Sequence, residues 1–296
     1  MHRFLITCGV ATLAAALAGC GGNSESNNPA APSPPPTAGS AVYYTAIGAS
    51  DAAGVGSSAP CVPFTACPGG MGYVPVIVRQ LEGRGSTVTL SNLGIPAAVI
   101  SPHFQALGRQ YGREIPGNFI QQEVPFVPRN STMVTIFAGG NDTNTVSAAI
   151  GGGAGNGDPV AYADQQIKAF GDDFATMLKG IRERAPSARI VVANLPNFAG
   201  IPMTAGYTLE RKQLLQKVSV GFSTQVINPL TSQGIAVVDL LCDGRFSGGA
   251  YFSSDGFHPN DAGYAAMADA FMQAITSGSH PAPQSSCAAM TIVPPR

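Results

Sequence analysis

Between residues 41 and 275, short apolar runs alternate with amphipathic segments, and this alternation leaves few folds open. Residues 41–47, 87–93, 132–138, 189–194 and 235–240 are rich in aliphatic and β-branched residues and read as strands. Residues 72–84, 164–184, 209–230 and 261–275 carry apolar side chains at helical steps and read as helices. Ile167, Phe170, Phe174, Leu178 and Ile181, for example, fall on one face. Strands apolar on both sides must be covered on both sides. The expected class is therefore α/β, a three-layer α/β/α sandwich around a five-stranded parallel sheet. Such sheets bind ligands beyond the carboxyl ends of their strands.

The rest of the chain narrows the partners. Charged residues make up 11% of the 296 residues, the formal net charge is -1, and no basic run exists. Nucleic acid is excluded as an expected partner. The four histidines show no metal-ligand spacing, so no metal or cofactor is expected. Met1-His2-Arg3 and the apolar residues 4–18 have the layout of an export signal, too short for a permanent span. Leu17-Ala18-Gly19-Cys20 resembles the lipobox of bacterial lipoproteins. That implies a signal peptide over 1–19, a lipid on Cys20, and anchoring in the cell envelope, at the outer membrane where the cell has two. An ordinary signal cleaved near Ala18 is the alternative. Residues 20–40, rich in Asn, Ser and Pro, read as a tether.

Cys61, Cys67, Cys242 and Cys287 remain for the exported part. An even number in an oxidising compartment reads as two disulfides, with three pairings open. The closeness of the first two favours Cys61–Cys67, which leaves Cys242–Cys287 to pin a tail over 278–296.

Chemistry-bearing residues follow successive strands. Ser50, in Gly48-Ala49-Ser50-Asp51, follows the first, where Gly48 permits a sharp bend. Gly94 follows the second. Asn141, in Gly139-Gly140-Asn141-Asp142, follows the third. His258 follows the last strand, in Asp255-Gly256-Phe257-His258-Pro259. A serine needs a base to lose its proton, and the base needs a group to orient it. Asp255, three residues before His258 across a glycine, has the spacing for that. Each piece has a plain alternative: Ser50 as a helix cap, Gly-Gly-Asn-Asp as a turn, Asp255 as the cap of a loop.

Taken together and in order, the blocks Gly48-Ala49-Ser50-Asp51, Asn92-Leu93-Gly94, Gly139-Gly140-Asn141-Asp142 and Asp255-Gly256-Phe257-His258-Pro259 resemble those of the SGNH (GDSL-type) serine hydrolases. The resemblance covers nearly all of a domain over 41–277. It implies a flavodoxin-like fold, Ser50 as nucleophile, His258 as base and Asp255 as its partner. It also implies an oxyanion hole made of the N–H groups of Ser50 and Gly94 and the Asn141 amide. The expected function is hydrolysis of acyl esters of a lipid or an acylated saccharide, by a monomer. An O-acetylesterase or acyltransferase of the same fold, and an inactive binding lipoprotein, are the alternatives. Ala49 departs from the family, which usually has Asp there. An α/β-hydrolase fits poorly, because its serine sits mid-chain and its acid lies apart from its histidine. Residues 147–158, with three successive glycines, read as a mobile loop past Asn141.

Overall fold

A computed structural model describes residues 33–295. The expected signal peptide, Cys20 and the tether up to residue 32 lie outside the described residues. The remaining tether residues run along the domain: Ser33 donates from both N and Oγ to the Ser187 carbonyl at 2.7 Å.

In chain order, β1 (Ala41–Gly48) leads into α1 (Ser50–Ala53) and α2 (Tyr73–Gly83). Next, β2 (Thr87–Asn92) leads into α3 (Pro102–Gln110) and α4 (Phe119–Gln122). Then β3 (Met133–Phe137) leads into α5 (Gly140–Gly151) and α6 (Pro159–Arg184). Finally, β4 (Arg189–Ala193) precedes α7 (Leu209–Gly221), and β5 (Ala236–Val238) precedes α8 (Asp261–Thr276). The five strands are all parallel, in the order β2-β1-β3-β4-β5. This is the flavodoxin-like order, whose switch point lies between β1 and β3. There the chain leaves β1 in one direction and returns to the other side, which opens a crevice at the strand ends. Gly48 pairs with Phe137 and Ala46 with Asn92, so β1 and β3 end level at the switch point and β2 ends two residues short of them.

Two cores flank the sheet. Val42, Tyr44 and Ala46 pack with Val74, Ile77, Phe271 and Ile275 under α2 and α8. Val134, Ile136, Ile190 and Val192 pack on the opposite side with Phe104, Phe170, Phe174 and Phe222. Alternate residues of each strand thus serve opposite cores, as the period of two demands. Fully burying one such side chain stabilises the fold by about 1.5–3 kcal/mol relative to leaving it in water. Thr135 is polar and buried in the sheet, and Tyr44 Oη satisfies it at 2.8 Å.

Three local expectations are corrected. Helix α3 is additional to the expected helices: Ser101 caps it, Pro102 opens it, and Phe104 and Leu107 are buried. The helix read over 209–230 ends at Gly221 and continues as a wider π turn, Phe222–Ile227, then as a 3₁₀ turn, Asn228–Gln233. Pro229 has no N–H to continue an α-helix, and the wide turn lets Ser223 Oγ bond the Leu195 backbone. The loop read over 147–158 is shorter, because α5 runs on to Gly151 with Val146 and Ala149 in the core. Cys61 is bonded to Cys67, and Cys242 to Cys287.

Candidate active site

Ser50 is the first residue of α1, directly beyond the end of β1. Its residue is only 4% exposed. The bend before it rests on close packing at Gly48 rather than on a left-handed backbone. A β-carbon at Gly48 would lie 3.1 Å from both Ala52 Cβ and the Phe137 carbonyl oxygen. Being in the first turn of a helix, the Ser50 N–H has no helical acceptor.

His258 lies between β5 and α8, just before the cap residue Asn260. Its Nε2 is 2.8 Å from Ser50 Oγ, although the two residues are 208 positions apart. Its Nδ1 is 2.6 Å from Asp255 Oδ2. The other Asp255 oxygen accepts from Phe257 N at 2.8 Å, His258 N at 2.9 Å and Ser253 Oγ at 2.8 Å. One carboxylate therefore folds the loop and holds the ring. Gly256 makes this possible: its φ is +70°, and a β-carbon there would fall 2.6 Å from Met203 N. Partial burial pushes the Asp255 carboxyl up, but bonds from the His258 ring, the His258 and Phe257 amides and the Ser253 hydroxyl outweigh it and bring it down to about 2. Asp255 is thus charged at neutral pH and accepts a hydrogen bond from Nδ1–H, so Nε2 is the acceptor for the serine hydroxyl.

The other site residues flank Ser50 through the strand order. Gly94 follows β2 on one side, and Asn141, the second residue of α5, follows β3 on the other. Asn141 is buried and donates from Nδ2 to the Ala98 carbonyl at 3.1 Å. The second hydrogen of that amide has no acceptor among the described residues. The Gly94 N–H makes a long bond, 3.2 Å, to Asn92 Oδ1. Asn92 Nδ2 in turn donates to the Ala52 carbonyl at 2.7 Å, which ties the end of β2 to the helix of Ser50. Ser50, His258 and Asp255 form one hydrogen-bonded chain, and Gly94 and Asn141 stand to either side of it. The described residues hold no group of His, Cys, Asp and Glu suited to a metal ion.

Several contributors lie outside the residues singled out by sequence. Ser253 supports Asp255, and its only signal is a hydroxyl two residues upstream. Asp51 lies beside Ser50, and burial pushes its carboxyl up while His258 opposes the shift. With Gly140, Phe198, Phe252 and Phe257 it lines a cavity of about 30 Å³. Phe257 packs edge-on against both His258 and Phe198, at centroid distances of 4.8 and 5.8 Å. The short disulfide loop borders the nucleophile side: Cys61 N donates to the Ala53 carbonyl at 2.7 Å and Phe64 N to the Asn92 carbonyl at 3.2 Å. Glu123 reaches Gly48 N from below at 3.0 Å, and nothing in the local sequence announces it.

A serine hydroxyl against an oriented imidazole, with buried N–H groups around it, can carry acyl transfer. Residues 46–266 match the GDSL-like lipase/acylhydrolase family. No curated protein sequence matches the chain. Among solved structures, an extracellular lipase from Streptomyces rimosus is 16% identical, with a TM-score of 0.55 over 79% of this chain and 99% of that one. The lipase Lip_vut3 from a goat rumen metagenome is 22% identical, with a TM-score of 0.53 over 80% and 99%. A phospholipase A1 from Streptomyces albidoflavus is 17% identical, with a TM-score of 0.50 over 78% and 98%. At these identities the likeness is one of fold.

Proposed function

The chain belongs to the GDSL-like lipase/acylhydrolase family, and on that footing we propose that it is a serine esterase acting on carboxylic acyl esters. The observation that carries this reading is the unbroken chain from Ser50 Oγ to His258 Nε2 at 2.8 Å and from His258 Nδ1 to Asp255 at 2.6 Å. Ser50 Oγ attacks the ester carbonyl carbon while His258 Nε2 takes its proton. The tetrahedral oxyanion sits against the N–H groups of Ser50 and Gly94 and the free hydrogen of the Asn141 amide. His258 then gives the proton to the departing alcohol, and the acyl group stays on Ser50. Water, deprotonated by His258, attacks the acyl-enzyme and releases the acid. Asp255 stays ionised throughout and stabilises the imidazolium.

Esters of a lipid or of an acylated saccharide are the substrates proposed. The two disulfides fit an exported protein. No helix among the described residues is long and apolar enough to cross a membrane. Attachment to the envelope is proposed through a lipid on Cys20, on the resemblance of Leu17-Ala18-Gly19-Cys20 to a lipobox.

The test is labelling of the purified protein with a fluorophosphonate, beside Ser50→Ala and His258→Ala. Labelling of the wild type, with loss in both variants and unchanged melting temperatures, is expected. A folded wild type that resists the reagent would overturn the reading. A series of p-nitrophenyl esters from acetate to decanoate then sizes the acyl group.

A further inference from the structure

The segment between β2 and α3, residues 93–101, carries Gly94 and passes beside Asn141. Within it Ala97 has φ of +65°, a left-handed conformation that a β-carbon disfavours and that persists only where the surroundings impose it. The next residue, Ala98, offers the carbonyl that holds the Asn141 amide at 3.1 Å. The shape of this one segment therefore governs two expected oxyanion donors, the N–H of Gly94 and the amide of Asn141.

Two buried carboxyls grip it. Glu123 Oε2 accepts from Gly48 N at 3.0 Å, and the Ile95 N–H also faces that carboxyl. Ile95 N bonds the Gly48 carbonyl at 3.2 Å. Glu123 thus holds the turn before Ser50, and that turn bonds the residue after Gly94 through the Gly48 carbonyl. At the other end, Asp142 Oδ1 accepts from Ile100 N at 2.9 Å. Asp142 directly follows Asn141, so neighbouring side chains of α5 hold Ala98 and Ile100 of the same segment. Both acids are fully buried. Each has one oxygen, Glu123 Oε1 and Asp142 Oδ2, without a partner. Burying such groups is costly, and neither touches Ser50, His258 or Asp255. The nucleophile turn itself offers no polar help, since Ala49 is apolar and α1 has no side-chain cap.

We infer that Glu123 and Asp142 are positioning residues of the oxyanion site: Asp142 holds the 93–101 segment at Ile100, and Glu123 holds the Gly48 turn to which Ile95 of that segment is bonded, so that Gly94 and Asn141 point at the substrate. The inference rests on the serine-esterase reading above. Burial pushes both carboxyls up, Glu123 well above its ordinary range and Asp142 to about 7, with Asp173 and Arg113 also facing Asp142. A neutral amide that keeps the accepting oxygen is therefore the closest replacement for either.

The experiment compares Glu123→Asp and Asp142→Ser, polar but too short to reach, with Glu123→Gln and Asp142→Asn. Fluorophosphonate labelling rate, kcat and KM for p-nitrophenyl acetate, and melting temperature are measured on each. Misplacing one oxyanion donor costs about 10²-fold, so kcat and labelling rate of the short variants should fall by roughly that factor with KM little changed. The amide variants should stay within about threefold of wild type, since they keep the hydrogen bond. Folded short variants with wild-type kcat would overturn the inference. So would folded amide variants as slow as the short ones. An unlabelled wild type would instead bring down the esterase reading itself, and the two failures are told apart by that control.

Discussion

The two halves of the Ser50–His258 pair are held in opposite ways. Ser50 is buried, and its turn is tied to distant parts of the chain: Gly48 N to Glu123, Ala52 O to Asn92, Gly48 O to Ile95. The histidine loop is more open, with the Asp255 side chain 45% exposed, and most of its bonds join residues at most five apart. Burial and hydrogen bonding also shift the acids of the two halves in opposite directions. Glu123 and Asp142 are pushed up by burial, whereas Asp255 is brought down by its donors. The placement of Ser50 is thus a collective property of the fold, and that of His258 is largely a property of one loop. Damage to the first should cost stability and activity together, and damage to the second chiefly activity.

The largest expected effect comes from Asp255→Asn. It keeps the loop's shape but presents the wrong hydrogen-bond partner to Nδ1, so kcat should fall by about 10³–10⁴-fold. The melting temperature should fall only modestly at neutral pH, through loss of the stability that the ionised Asp255 contributes; a drop of many degrees would break the comparison. Next is Cys287→Ser, which opens a bridge spanning 45 residues. Chain entropy puts its cost near 4 kcal/mol of stability. The tail it pins also bonds Asn197 through the Ala289 carbonyl at 2.8 Å, next to Phe198. Unfolding in urea should therefore shift strongly, with KM rising more than kcat falls.

Asn92→Ala sharpens the contrast from the nucleophile side. It leaves the Ala52 carbonyl unpartnered in a buried place, at a cost of about 1–3 kcal/mol. It also frees the Gly94 segment, so kcat should fall by about tenfold alongside the loss of stability. Unchanged melting in this variant would argue that the nucleophile turn, too, is locally held.

The smallest effects are in pH dependence. Asp255, lowered from 3.8 to about 2, contributes stability that is complete above its ordinary value and is lost as pH falls through the folded one. Asp255→Asn should therefore flatten the melting curve between pH 4 and pH 2. Asp142, raised from 3.8 to about 7, acts in the opposite sense, since the native state holds its proton longer than the unfolded chain. Asp142→Asn should gain on the wild type as pH rises from 4 to 7 and no further above that. Melting temperatures across this range check both signs.

Much of this molecule is legible in residue order because the forces concerned act over short sequence distances. The alternation of strands and helices follows from side-chain period, and the parallel sheet follows from strands apolar on both faces. Asp255 and His258 are three residues apart, and Cys61 and Cys67 six, so turn geometry alone brings them within reach. Even the placement of Ser50, Gly94 and Asn141 after successive strands can be read in advance, because every parallel strand delivers its end to the same edge. Helix α3 has a local signal as well, in its Ser101-Pro102 cap.

Only the tertiary structure could decide the rest. That Glu123 lies under Gly48, and that Asp142 holds Ile100, depends on segments 75 and 42 positions apart meeting in a core. No local pattern marks a carboxyl that will be buried, because burial is set by what packs around it. The same holds for the left-handed Ala97 and for the π turn after α7, both tolerated because neighbours impose them. Sequence by itself determined the order of the elements and the residue types at the strand ends. Packing decided which buried groups aim them, since a hydrogen bond between distant segments exists only once the chain has closed around it.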